Sequence, residues 1–189
     1  MERASKAQYG AYFLLAARVL LAWTLARYGW AKLTDAQFGV DEKTLNTPLK
    51  HIDLFRLSWY LADHQPFKAF IGVSQLGTAL LLAFNRTVLV GALVSIPIWL
   101  NILIWDLTFM EGLTTAFTFR LSFYLILTGL ILYQGNDKLI PALNDVIQVK
   151  TAFNYPLWAY LVLPVAAIGV ELIGAIPNAL LNYFNVLGR

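Results

Sequence analysis

The chain has 189 residues, 59% of them hydrophobic, with a mean hydropathy of +0.62 and a net charge of +3. Soluble domains are about 45–50% apolar, so the excess is membrane-facing surface, and the length suits about four or five spans with short loops and no separate soluble domain. The lack of cysteine excludes disulfides, thiolate metal sites, CxxC redox chemistry and a cysteine nucleophile, while so small a charge surplus speaks of topology and lipid headgroups rather than nucleic acid.

Met1 to Gln8 is polar and carries Arg3 and Lys6. A first span is expected over about residues 9–33, read as an uncleaved signal-anchor because no small-x-small site follows the apolar run. At 100° per residue Arg18, Ala22, Leu25, Gly29 and Lys32 share one face, with Arg27 opposite. Arg18 stands near the middle of the run, where a charge is expensive in lipid and should face protein or a polar cavity. Arg27 and Lys32 are expected to snorkel outward.

Residues 34–66 form the longest polar segment. Thr47-Pro48 reads as an N-cap and first helical position. The spacing predicts an interfacial helix over 48–62, with Ile52, Phe55 and Trp59 on one face and Leu54, Leu57 and Leu61 on the other. His51 and His64 stand near Asp53 and Asp63 and read as solvated interfacial side chains rather than a metal site.

Two apolar runs, about 67–84 and 88–105, flank Asn85-Arg86-Thr87 and read as a transmembrane hairpin. Gly72, Gln75, Gly77 and Ala79 allow close helix approach in the first run; Gly91, Ser95, Pro97 and Asn101 mark the second. Trp99 and Trp105 suit either an interfacial belt or the core. Residues 106–114 read as a short acidic loop holding Asp106 and Glu111. A fourth span covers 115–133 and carries Arg120. A second amphipathic surface helix follows over 138–148. A fifth span over 156–183 contains Pro164, Pro177 and, near its middle, Glu171. The expected fold is a single all-α integral membrane domain over residues 1–189. The balance of Lys and Arg favours a cytoplasmic N-terminus.

With that topology, a rise of about 1.5 Å per residue and a core of about 30 Å set the depth of each polar side chain. Gln75, Asn101, Arg120 and Glu171 then fall in one layer in the outer half of the membrane, and Arg18 approaches from below. Three readings are open. The residues can be interhelical glue, with Glu171 paired to an arginine and Gln75 to Asn101. They can line a pocket for a lipid-soluble molecule with a polar head, such as a quinone or lipid. They can also line a proton or ion path. Two arginines against one acid favour an anionic or carbonyl-bearing ligand.

The stretch Tyr28-Gly29-Trp30-Ala31-Lys32-Leu33 after Arg18, the loop blocks Gln37-Phe38 and Leu45-Asn46-Thr47-Pro48-Leu49, and the span blocks Phe70 to Gln75, Leu80 to Leu82 with Asn85-Arg86-Thr87, and Gly91-Ala92-Leu93 together resemble the DoxX-like family of small multi-pass membrane proteins. Asn101 stands where that family often has Asn. The likeness runs from about Arg18 to Val149. Two departures matter: the family usually has Glu where Gln75 stands, and the segment before its fourth span differs from Thr115 to Arg120 here. Glu171, on a span beyond the usual four, is a candidate replacement for the missing acid.

The resemblance implies a four-helix transmembrane bundle, to which this chain adds a fifth C-terminal span. It also implies an accessory subunit of a membrane redox system, binding quinone or lipid, in the plasma (inner) membrane. No self-contained catalytic motif, metal site or covalently bound cofactor is expected. The expected partners are the bilayer and either another protein or further copies of the chain, with no nucleic acid. The alternative is a non-enzymatic assembly factor, chaperone or structural subunit acting through residues 34–66. A small transporter is a third reading, without a visible inverted repeat.

Overall fold

A computed structural model describes residues 6–110, 114–148, 153 and 155–187. Expectations that fall on Arg3 and Glu111 lie outside these residues. The described secondary structure is helical throughout: α1 Lys6–Leu33, α2 Glu42–Leu45, a 3-10 turn Leu49–His51, α3 Leu54–Ala62, α4 Phe67–Ala83, α5 Val88–Phe109, α6 Thr114–Gln134, α7 Asn136–Ile147 and α8 Leu157–Leu187. Helix is the form apolar runs must take where no water can pair with the backbone.

Residues 1–144 form one compact unit and 145–189 a second. In the first, α1 packs on α4 and α6, and α5 packs on α4 and α6, closing a ring of four helices. Its core holds Leu21, Leu25, Leu82, Trp99, Leu121 and Leu127, all but removed from solvent. The outer faces of these helices are apolar and exposed, as at Trp23, Phe70, Ile104 and Ile126. An apolar surface around an apolar core is what a bundle in lipid presents.

Four segments are long and apolar enough to cross a membrane: Gln8–Leu33, Val88–Phe109, Thr115–Gln134 and Leu157–Gly174. The helix α4 has 17 residues, about 25 Å, short of a full hydrocarbon core. It continues from α3 across a bend of 83°, and the two together are apolar enough for one broken span. The second unit contains α8, with Pro164 and Pro177 inside it and its described side chains almost all exposed.

Three local differences from the sequence reading have clear causes. The interfacial helix does not start at Pro48. That residue opens a 3-10 turn, and Asp53 is the true cap of α3, accepting the Arg56 N–H at 2.8 Å. An aspartate two residues before Phe55 satisfies an end donor that Thr47 cannot reach. The third apolar run does not stop at Trp105. The helix α5 continues to Phe109, so Asp106 is helical and buried instead of lying in a loop. Lys32 does not snorkel. It is 4% exposed, because the chain after α1 folds back over it.

That fold-back is the turn 34–39. The backbone N–H groups of Ala36 and Gln37 both donate to the Ala31 carbonyl, at 2.9 and 3.0 Å. Asp35 takes a left-handed conformation (φ 57°), a role aspartate tolerates at a helix end. Phe38 is also left-handed (φ 74°), which costs a bulky residue about 1–2 kcal/mol. Its ring is held edge-on to Trp59, 6.1 Å between centroids, and Trp59 packs on Phe55 at 4.8 Å. The Gly39 N–H donates to the Trp59 carbonyl at 3.2 Å. Lys68 then ties the two ends of the segment, donating to Asp35 and to Asp63, the latter at 2.5 Å. Residues 34–66 thus form a folded cap over one end of the four-helix ring.

Candidate functional site

Hydroxyls inside the bundle satisfy themselves. Thr24, Thr78 and Thr128 each donate to the carbonyl four residues back at 2.8 Å, and Ser95 does so three residues back at 2.8 Å. Against that background two interior side chains stand out. Gln75 is 1% exposed and its Oε1 has no hydrogen-bond partner; Trp99 is fully buried and its Nε1 has none either. A buried polar atom left unpaired costs about 1–3 kcal/mol, so each has an unmet chemical demand.

Helix packing brings them to one level. Gly29 and Gly72 let α1 and α4 touch backbone to backbone, and Gln75 lies about one turn further along α4. Gly91 of α5 rests on Leu81 and Leu82 of α4. Seven residues onward along each antiparallel helix, about 10 Å, Gln75 comes level with Ile98 and Trp99. Trp99 is packed against Tyr124 of α6, 5.0 Å between ring centroids.

Toward the cap lies a charged layer. Lys32 of α1 and Asp106 of α5 are both buried. The Lys32 ammonium donates to Gln37 Oε1 at 3.0 Å and lies over the rings of Tyr28 and Phe38, 5.5 and 5.1 Å from their centroids. Asp106 acts on it through space without a direct ion pair. The Tyr28 hydroxyl feels the charges of both Arg120 and Asp106. Trp105, beside Asp106, has a buried Nε1 without a partner.

The five residues singled out in the sequence therefore occupy different places. Gln75 is inside the bundle. Arg120 lies on an exposed face but within electrostatic reach of Tyr28. Asn101 is exposed. Arg18 is at the opposite end of the ring, donating to the Ala83 carbonyl and to Asn85 Oδ1, each at 2.5 Å. Glu171 is exposed on α8, in the second unit. Depth along the membrane is shared by several of these residues, but direction is not.

The sequence reading missed Lys32, Asp106, Tyr28 and Trp99 as members of the interior site. One signal was available for the first two. Helices α1 and α5 run the same way, each with a charge of opposite sign near its last turn, and that spacing brings Lys32 and Asp106 to one end. Chemically the arrangement offers a neutral donor and acceptor deep in the bundle and a cation, an anion and a phenol nearer the cap. No group of three or more metal-ligating side chains occurs among the described residues.

The chain is similar to the uncharacterized protein YwoB of Bacillus subtilis (strain 168), with 31% identity over 111 residues, 58% of this chain and 71% of the relative. No family model matches the chain. No solved structure matches it.

Proposed function

The chain belongs to the family of the uncharacterized protein YwoB of Bacillus subtilis, and on that premise we propose that it is an accessory subunit of a membrane redox system that holds a quinone-type head inside its helical bundle. The observation that carries this reading is the pair of unpartnered buried atoms, Gln75 Oε1 and Trp99 Nε1, at one level. An indole N–H is a donor only and an amide oxygen an acceptor. Together they fit a head that carries carbonyl oxygens in one state and hydroxyls in another. A quinone would supply the electron-carrying chemistry. The chain's own residues would bind and orient it, Trp99 donating to a carbonyl and Gln75 accepting from a hydroxyl. The neighbouring Tyr124 ring offers a flat apolar wall. The resemblance to DoxX-like proteins supports the redox setting, and the four apolar helices support a multi-pass membrane location.

The test is native mass spectrometry of the gently purified chain with organic extraction alongside. About one quinone per chain is expected. The variant Trp99→Phe stays aromatic but removes the N–H together with the five-membered part of the indole, so retention should fall at least about tenfold, the worth of one buried hydrogen bond. Retention unchanged in both Trp99→Phe and Gln75→Leu would end the proposal.

A second reading has its own observation. The cap exposes Leu45, Leu49, Leu54 and Leu61, an apolar set suited to a protein partner or a second copy. In an assembly factor of that kind, changing these leucines would abolish co-purification of a protein, and extraction would yield no small molecule.

A further inference from the structure

At the end of the ring away from the cap, a cavity of about 750 Å³ opens between α1, the turn joining α4 to α5, and the turn joining α6 to α7. That volume lies within the range of about 300–1,000 Å³ typical of ligand sites. Its polar lining includes three cations, Arg18, Arg86 and Lys138, against one carboxylate, Asp137. None of the three cations is ion-paired among the described residues. Arg18 is half-buried, and its Nε is enclosed without a partner. Its two Nη groups are fixed on the Ala83 carbonyl and Asn85, so the guanidinium is held in place before any ligand arrives. Both those acceptors are neutral, and the charge of Arg18 is left uncompensated.

The walls are apolar. Leu14 and Leu15 of α1 face the cavity alongside the basic groups. This wall exists because α1 is longer than its partner α4. Arg18 already meets the last residues of α4, so the part of α1 before it extends past the α4–α5 turn. A preorganised guanidinium with two further cations suits a phosphate-type anion. An adjoining apolar wall suits an acyl chain.

We propose that this cavity binds the phosphate group of an anionic amphiphile, with Arg18 as the fixed contact and Arg86 and Lys138 as the mobile ones. The site is at the other end of the ring from the Lys32–Asp106 layer and does not depend on quinone binding. It uses an arginine that the interior site leaves unemployed.

The experiment uses the full chain in detergent micelles with three probes: phosphatidylglycerol, phosphatidylcholine and inorganic phosphate. Native mass spectrometry reads retained lipid. One phosphatidylglycerol per chain is expected, with phosphatidylcholine retained at least tenfold less. The double variant Arg86→Gln/Lys138→Gln changes two exposed side chains and should fold normally. It should lose phosphatidylglycerol about 30-fold, from the usual strength of two cations near an anionic lipid. Inorganic phosphate separates the sources. Displacement of the lipid by millimolar phosphate assigns the site to a phosphate drawn from water, and persistence of the lipid assigns it to a headgroup with its chain on Leu14 and Leu15. Equal retention of the two lipids, or retention unchanged in the double variant, would overturn the proposal.

Discussion

Gly29 and Gly72 meet so closely that a Cβ on Gly29 would come within 2.6 Å of the Gly72 carbonyl oxygen. The converse is milder. A Cβ on Gly72 would meet Leu33 Cδ2 and Cγ, both at 2.7 Å, and the Gly29 carbonyl oxygen at 3.1 Å. Backbone cannot step aside as a leucine can, so Gly29→Ala should destabilise the bundle by about 1–3 kcal/mol, the usual cost of overpacking. Gly72→Ala should cost less. Gly77 has nothing within 4 Å of its Cβ position, so Gly77→Ala should leave stability unchanged or slightly raise it. Denaturant titration of the three variants in mixed micelles gives the ranking. Equal effects at Gly29 and Gly77 would show that the close approach does not limit packing.

Four of the five expected spans were legible as helices long and apolar enough to cross, whereas the run 67–84 forms the 17-residue α4, which passes only together with α3. Lipid imposes a simple demand. Every backbone group must pair within its own helix, so apolar runs of sufficient length show where helices cross. Gly72 was legible too, as a small residue in a position to let a neighbour close in. Direction around each helix was not. Hydropathy gives depth, and depth alone put Gln75, Asn101 and Arg120 in one layer; the packing turns Gln75 inward and leaves Asn101 and Arg120 exposed. Lys32 was misjudged for a different reason. Its position in the last turn of α1 suggested escape to water, and nothing in the α1 sequence reveals that Gln37 and Phe38 return to cover it. Asp106 looked like the start of a loop because an acid ends an apolar run. The helix α5 instead carries it on to the end of the ring where Lys32 is also buried.

Lys68 holds the cap at both ends, and its removal should loosen the cap without melting the ring. In Lys68→Met the Asp35 and Asp63 carboxylates lose their shared donor. The Asp35 side chain is 82% exposed and that of Asp63 is 38% exposed, so water takes over part of their solvation. The expected cost is about 1–2 kcal/mol. It should appear locally. The Gly39 amide, bonded to the Trp59 carbonyl at 3.2 Å, should exchange its hydrogen severalfold faster, while amides in the middle of α5 and α6 keep their protection. Lys68→Arg should restore part of the protection. Uniform loss across all helices would mean that the cap and the ring unfold as one unit.

Asp41 offers a test of the cap by pH. It is the N-cap of α2, and hydrogen bonds from Thr44, through its side chain and its backbone N–H at 2.9 Å, hold the Asp41 carboxyl below the usual aspartate range. The charged form accepts those bonds better than the neutral form, so the folded state favours ionisation. A carboxyl lowered on folding contributes its stabilisation in full above its unfolded value of about 3.9 and loses it as pH falls through the lower folded value. From pH 7 down to about 5 the Thr44 amide should therefore show constant chemical shift and exchange. Below about 4 the shift should move toward that of an unbonded amide, and exchange protection should fall. Asp41→Asn keeps an acceptor oxygen at the cap but has no proton to bind, so its Thr44 amide should be flat across the same range. Movement of the Thr44 signal in Asp41→Asn as large as in the parent chain would assign the pH response to another carboxyl.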